Sequence, residues 1–424
     1  MKDALNGKRL VMLGGASYTP FVKEYADKMG FHLFAAGNQV NEAMSAYTEE
    51  FFIAEASDAD DVCELIEKEH IDGIVALGNE DIIACAIRVA DRCNIPFYLN
   101  EVQWENLQDK ANFKRLCQRF GVDVVEEYTV SDDSTSQELE RLPYPLVFKP
   151  ADSCGSKGIT ICDNAQQIRQ AIEKARAFSR SERYVVERYM QGPEFIVSYI
   201  FVDGNIKVWM LGDRHMNTQQ KGLGALSNLS VYPSRFSALY MEKVHPRMER
   251  LLKEYAPKNG TMFIQGFVDG DKIRFFDPGM RFCGTLDTIV YSHVCGINPL
   301  HWMVNHALSG RMGRAEELER MDQNLHGKTC AQLSILIHPG TIAKVEGLDA
   351  VGRLEGVVSV VELLEEGDSV SMVGTLQQVL ARIHMALDDR ALIRTTVEEI
   401  YRLVKVTDEA GRDMKMPCLI EYEI

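Results

Sequence analysis

Two lysines, a loop of small residues and a few spaced carboxylates carry most of the chemistry this chain can offer. Lys149 closes a short apolar run, Leu146-Val147-Phe148, that reads as a strand. Pro150 cannot donate to a ladder, so pairing weakens there. Ser153, Cys154, Gly155, Ser156 and Gly158 follow, and Ile159-Thr160-Ile161 restarts as a strand. Such a loop exposes backbone N–H groups with few side chains in the way, and can close on phosphate oxygens. A plain hairpin turn beside a solvated lysine fits the same pattern. Lys110 stands in the first turn of a helix opening at Asp109, where a cation opposes the helix dipole; a specific task or simple solvation accounts for it.

Further along, Tyr184 to Tyr189 reads as a strand that runs into a break at Gly192-Pro193. Its edge could face a planar base, with Glu187 accepting from an exocyclic amine and Glu194 taking ribose hydroxyls. Two surface glutamates beside a turn are the plainer alternative. Gln265 and Asp277 lie on strands joined by Asp269-Gly270-Asp271, a hairpin signal. Period-two alternation puts Phe263, Gln265 and Phe267 on one face, and Ile273, Phe275 and Asp277 on one face of the partner. Oxygen ligands on adjacent strands suit Mg²⁺, although Asp277 before Pro278-Gly279 also suits a turn. Arg281 could grip a carboxylate or phosphate with two parallel hydrogen bonds.

These groups need a frame. Residues 1–108 alternate strands (Arg9–Leu13, Phe31–Ala35, Phe51–Ile53, Gly73–Leu77, Pro96–Leu99) with helices, one capped by Ser57 and one spanning Glu80–Cys93. That rhythm predicts an α/β unit: a parallel sheet with helices on both faces. Gly14-Gly15-Ala16-Ser17 lacks the full dinucleotide fingerprint, so a strand-to-helix turn is expected there and a nicotinamide oxidoreductase rests on those glycines alone. Gly78-Asn79-Glu80-Asp81 reads first as a helix start and second as a ligand-facing loop. A helix is expected over Asn164–Ser179, strands over Phe195–Phe201, Ile206–Leu211, Met262–Val268 and Ile273–Phe276, and a kink at Pro246. The last hundred residues read as α+β, with a strand over Ala331–Ile337 and a helix near Thr375–Met385.

Composition bounds the function. The 424 residues are 46% hydrophobic and 25% charged, an ordinary globular balance. A net charge of −16 argues against broad nucleic-acid binding. No apolar run reaches the ~20 residues of a membrane span, and the first residues lack a signal-peptide core. Ten cysteines without a C-x-x-C pair suggest idle thiols, so a cytoplasmic protein is expected.

In their order along the chain, the flap, the lysine helix, the two glutamates and the hairpin resemble the ATP-grasp superfamily, in particular biotin carboxylase, glycinamide ribonucleotide synthetase and the L-amino acid ligases. The resemblance covers essentially the whole chain. It implies a pre-ATP-grasp domain (1–108), a two-lobed ATP-grasp domain (109–328) with a mobile lid (about 128–190), and a C-terminal domain (329–424) completing the lobe. It further implies ATP with Mg²⁺ (or Mn²⁺), and Lys110, Lys149 and the flap residues Ser153, Gly155, Ser156 and Gly158 on the phosphates. Glu187 and the backbone near Met190 would hold adenine, Glu194 the ribose, and Arg281 an acyl phosphate or substrate. The reaction implied joins a small-molecule carboxylate to an amine, with Lys149 and Arg281 as catalytic residues; a homodimer is possible by analogy. Two positions depart from the family's E-x-N-x-R pattern. Gln265 stands where a carboxylate is usual, and Gly279 where asparagine is usual. The metal pair Gln265 and Asp277 could therefore be weakened or helped by Asp269, and a catalytically weak or inactive ATP-binding homologue is the alternative.

Overall fold

The computed structural model describes residues 1–151, 158–179, 181–217, 226–371, 374–418 and 420. Strands β1 (Arg9–Leu13), β2 (His32–Gly37), β3 (Phe51–Ile53) and β4 (Gly73–Ala76) form a parallel sheet in the order β3-β2-β1-β4. β1 and β4 are almost wholly apolar and buried, as parallel strands covered on both sides must be. Gly14 and Gly15 both adopt positive φ, and a Cβ on Gly15 would sit 2.5 Å from Leu77, so this loop is a tight turn. Two local expectations change. Asp58, not Ser57, caps the next helix by accepting from the Asp60 amide at 2.8 Å, while Ser57 bonds Glu55. Pro96–Leu99 forms no strand: the chain turns into the capped helix Glu101–Leu107, and the Tyr98 hydroxyl donates to Met280 O at 2.6 Å.

One face of this sheet is covered by a helix from much later in the chain, Pro299–Ser309. A Cβ on Gly73 would lie 2.2 Å from Ala307 O, so the missing side chain lets that helix seat against β4. The Tyr25 hydroxyl donates to Asn305 Oδ1 at 2.8 Å, and its ring stacks on His301 at 3.8 Å. A single apolar core therefore runs from the N-terminal sheet into the central one.

The region expected to form a lid folds as a separate layer. Strands β5 (Leu146–Pro150), β6 (Thr160–Cys162) and β7 (Tyr184–Arg188) pair antiparallel in the order β6-β5-β7. The helix Ile168–Ala177 packs Ile168, Ala171 and Ile172 against Leu146, Phe148 and Val186 in a small core of its own.

The rest of the chain supplies β8 (Glu194–Val202), β9 (Asn205–Asn217), β10 (Leu226–Tyr232), β11 (Gly260–Asp269), β12 (Lys272–Gly279), β13 (Thr329–Leu336), β14 (Gly340–Glu346), β15 (Val357–Glu362), β16 (Ser369–Val370), β17 (Val379–Leu387) and β18 (Lys405–Asp408). Eight of these build one large sheet, ordered β12-β11-β8-β9-β10-β13-β17-β15. The helix expected near Thr375–Met385 is the strand β17. It lies between β13 and β15 and is buried almost throughout, so its sequence shows no alternation to separate it from a buried helix. The C-terminal helix is instead Leu392–Leu403. Pro246 marks the join between a π-helical turn, Tyr240–Val244, and the helix His245–Tyr255. No helix among the described residues is long and apolar enough to cross a membrane.

Candidate active site

β5 and β7 pair so that Val147 faces Glu187 and Lys149 faces Val185, which sets Lys149 and Glu187 on one side of the lid sheet. Glu187 Oε2 accepts from Lys149 Nζ at 2.7 Å. Its other oxygen accepts from Lys114, which also meets Glu127 at 2.6 Å. Lys114 lies one turn after Lys110 on the helix Lys110–Arg119, so both ammonium groups leave the same helix face. Lys110 Nζ meets Asp277 Oδ1 on β12 at 3.1 Å. The Lys149 ammonium also stands 5.5 Å over the ring of Phe276, which stacks on Phe267 at 4.9 Å. Lid lysine, helix lysines and hairpin carboxylate thus converge on one place.

Burial decides the electrostatics. Lys149 is 6% exposed, Lys114 3% and Glu187 4%. Burial pushes the Lys149 ammonium below the usual lysine range, against the pull of Glu187. Burial alone would raise the Glu187 carboxyl, but Lys149 and Lys114 together hold it below the ordinary value. For Lys110, burial works downward and is outweighed by Asp277, leaving it above the usual range. The result is a buried cation cluster in which burial opposes the Lys149 charge while Asp277 favours that of Lys110.

The remaining expected residues fall as follows. Gly158 takes φ +75, and a Cβ there would lie 2.7 Å from both Phe178 and Pro150. Ser153, Gly155 and Ser156 lie outside the described residues. Met190 is buried just past β7. Glu194 opens β8 and pairs with Arg214 at 2.6 Å. Glu187, read from the sequence as a partner for a base, lies within the lysine cluster. Gln265 and Asp277 are direct cross-strand partners, and a bulge follows, because Gly266 pairs with Phe275. That bulge sends Phe275 and Asp277 to opposite faces, which strict alternation placed together. Phe275 is fully buried and Asp277 is only partly so. Asp269 sits at the turn end of this hairpin, held by Arg274 at 2.8 Å, away from Asp277.

Arg281 joins the site to the N-terminal sheet. Its Nη2 and Nε donate to Glu80 Oε1 at 2.9 and 3.3 Å, and Nη1 donates to Phe282 O at 3.0 Å. Its guanidinium also lies 5.2 Å over the ring of Phe263. That ring explains Gly279, since a Cβ there would meet it at 2.4 Å. Phe263 therefore fills the space that a larger residue at 279 would need.

A polar row crosses the large sheet from this point. Glu194 pairs with Arg214, Arg214 with Ser230, Ser230 with Gln332, and Gln332 with His384, across five neighbouring strands. One row beyond, Ser334 pairs with Arg382. Sequence reading missed Lys114, the stacking of Arg281 on Phe263, the Glu194–Arg214 pair and this row. Lys114 was visible as the i+4 neighbour of Lys110; the row depends on long-range pairing that no local pattern carries.

Comparison with known proteins bears on the same region. Residues 109–236 match the family model for the carbamoyl-phosphate synthase L chain, ATP binding domain. A curated relative, the ATP-grasp enzyme fsqD of Aspergillus fumigatus, is 28% identical over 142 residues, which is 32% of this chain and 25% of that protein. The chain thus matches about a quarter of that relative's length. Among solved structures, the L-amino acid ligase of Bacillus licheniformis superposes with a TM-score of 0.77 at 18% identity, covering 95% of this chain and 99% of that one. The biotin carboxylase domain of 2-oxoglutarate carboxylase from Hydrogenobacter thermophilus, in complex with MgADP and bicarbonate, gives 0.74 at 16% identity, covering 94% and 90%.

Proposed function

Because the chain belongs to the ATP-grasp superfamily, we propose that it is an ATP-dependent carboxylate–amine ligase, forming an amide or peptide bond through an acyl phosphate with release of ADP and phosphate. The observation that carries this reading is the convergence of Lys149 from the lid with Lys110 and Asp277 from the opposite lobe. Phosphoryl transfer asks little covalent chemistry of a protein; it asks for fixed positive charge and in-line placement. In this reading Lys110, Lys149 and the flap hold the triphosphate, and Glu187 keeps Lys149 charged and aimed until phosphate replaces it. The segment near Met190 and Glu194 holds the nucleoside. Arg281 leaves Glu80 to grip the carboxylate as it becomes an acyl phosphate, and the closed lid keeps water from that reactive species.

Among the described residues no group of three or more His, Cys, Asp or Glu side chains could hold a metal ion. Asp277 and the Gln265 amide oxygen are the donors on the hairpin. This is a fit for Mg²⁺ (or Mn²⁺) that arrives with the nucleotide and takes its other ligands from phosphates and water. When bound, the ion would neutralise charge on the phosphates. A second reading, an ATP-binding protein of little or no catalytic power, is favoured by Gln265 and by the hold of Lys110 on Asp277.

The test is incubation with Mg-ATP and pooled carboxylates and amines, reading ADP and product masses. Turnover that falls at least about a hundredfold in Lys149→Ala supports the ligase. ATP binding with no ADP from any mixture supports the second reading, and full turnover in Lys149→Ala overturns the assignment of the lysine.

A further inference from the structure

Two helices of the N-terminal unit bring together a pair of thiols that the ligase chemistry leaves unused. Cys63 lies on the buried face of the helix Ala59–Lys68, beside Val62 and Ile66, and is 7% exposed. Cys93 is the last residue of the helix Glu80–Cys93 and is partly exposed. Both are free cysteines, and the Cys93 thiol donates to Cys63 Sγ at 3.2 Å. The roughly 2.05 Å of a disulfide bond is only about 1 Å closer.

The sequence holds this meeting in place from both sides. Asn94 takes a left-handed conformation, and its amide closes on Ala90 O, so the second helix ends directly after Cys93. Arg92, the neighbour of Cys93, meets Asp60 on the first helix at 2.7 Å, one turn before Cys63. That exposed ion pair adds little stability, but it spans the same helix ends as the two sulfurs. Among the described residues no third His, Cys, Asp or Glu is placed with them as a metal site would require. Oxidation is the chemistry open to such a pair.

We propose that Cys63 and Cys93 form an oxidisable dithiol, a modification site at which a peroxide joins the two helices through a disulfide. Cys93, the more exposed, attacks one peroxide oxygen; the O–O bond breaks, one water leaves and a sulfenic acid remains. Cys63 sulfur then attacks Cys93 sulfur; the S–O bond breaks, the S–S bond forms and a second water leaves. The two thiols give up two hydrogens and two electrons, and the peroxide is reduced to two waters. Burial pushes the Cys93 thiol up to about 12, with Cys63 adding to the rise and Arg92 offsetting little of it. Thiolate is therefore scarce, and the first step is slow. Glu80, the partner of Arg281, opens the helix that Cys93 ends, about 20 Å away along its axis. The bond thus staples the N-terminal unit and leaves the lysine cluster untouched, so this inference stands apart from the ligase reading.

The experiment treats the full chain with hydrogen peroxide, unfolds it, blocks remaining thiols with N-ethylmaleimide and maps unreduced peptides by mass. A linked peptide holding Cys63 and Cys93 is expected, about 2 Da lighter than its two reduced parts together. The link closes a loop of about thirty residues, so thermal unfolding should shift up by about 5 °C and return after dithiothreitol. Cys93→Ser should show neither change, and Cys63→Ala serves as the second variant should the first fail to fold. Recovery of both thiols blocked, or of Cys93 as a sulfinic acid beside a free Cys63, overturns the proposal. Links from either residue to Cys283 or Cys418 in place of this one overturn it too. A Cys63–Cys93 link with an unmoved unfolding midpoint supports the modification site and overturns the stapling.

Discussion

Replacing Glu187 by glutamine probes the centre of the lysine cluster. The substitution keeps the shape but removes the one negative charge that Lys114 and Lys149 share. Lys114 retains Glu127 at 2.6 Å, whereas Lys149 loses its ion pair while staying 6% exposed. Breaking a buried pair from one side costs about 3–5 kcal/mol, and the surviving Lys114–Glu127 contact points to the lower end, about 3 kcal/mol or a hundredfold in the folding equilibrium. Chemical denaturation of wild type and Glu187→Gln measures this directly. The pH dependence has a definite sign. The Glu187 carboxyl is held below its ordinary value of 4.5, so its contribution is present above 4.5 and fades as the pH falls through the lower folded value. The gap between the two proteins should therefore shrink on acidification. Added Mg-ATP should recover part of the loss, because phosphate oxygens supply Lys149 with a new partner. A Glu187→Gln protein within about 1 kcal/mol of wild type at neutral pH would refute the description of Lys149 as a buried cation dependent on this carboxylate.

Gly279→Asn, which introduces the residue usual in the family, should destabilise by about 1–3 kcal/mol, because its Cβ meets the Phe263 ring at 2.4 Å. Adding Phe263→Ala should relieve that clash, so thermal unfolding of the pair should show clear non-additivity; additive losses would contradict the packing argument. Gln265→Glu sets a second carboxylate directly across from Asp277. It should cost about 0.5–1 kcal/mol without metal and lower the Mg²⁺ concentration needed for half-maximal ADP formation, both read in one magnesium titration.

Much of this architecture was written locally. Lys149 at a strand end before proline, Lys110 after a capping Asp109, and an Asp-Gly turn joining two apolar strands each carry their meaning within a dozen residues. What local pattern cannot show is which strands become neighbours. β17 read as a helix because a strand buried on both faces has no polar side to mark its period. The bulge after Gln265 reversed the facing of Phe275 against Asp277, since one extra residue flips a two-residue repeat. Glu187 was visible as a charged residue on a strand, but its two lysine partners come from a helix and a strand that meet only in the folded chain.

The helix Pro299–Ser309 lying against Gly73 has a practical consequence for protein engineering. Residues 1–108 cannot be lifted out as a cassette, because the wall that shields their sheet is encoded beyond the region they would be cut from. A fragment ending near 108 would expose that bare flank to solvent and invite aggregation, whereas exchanges between relatives should succeed when the two segments travel together.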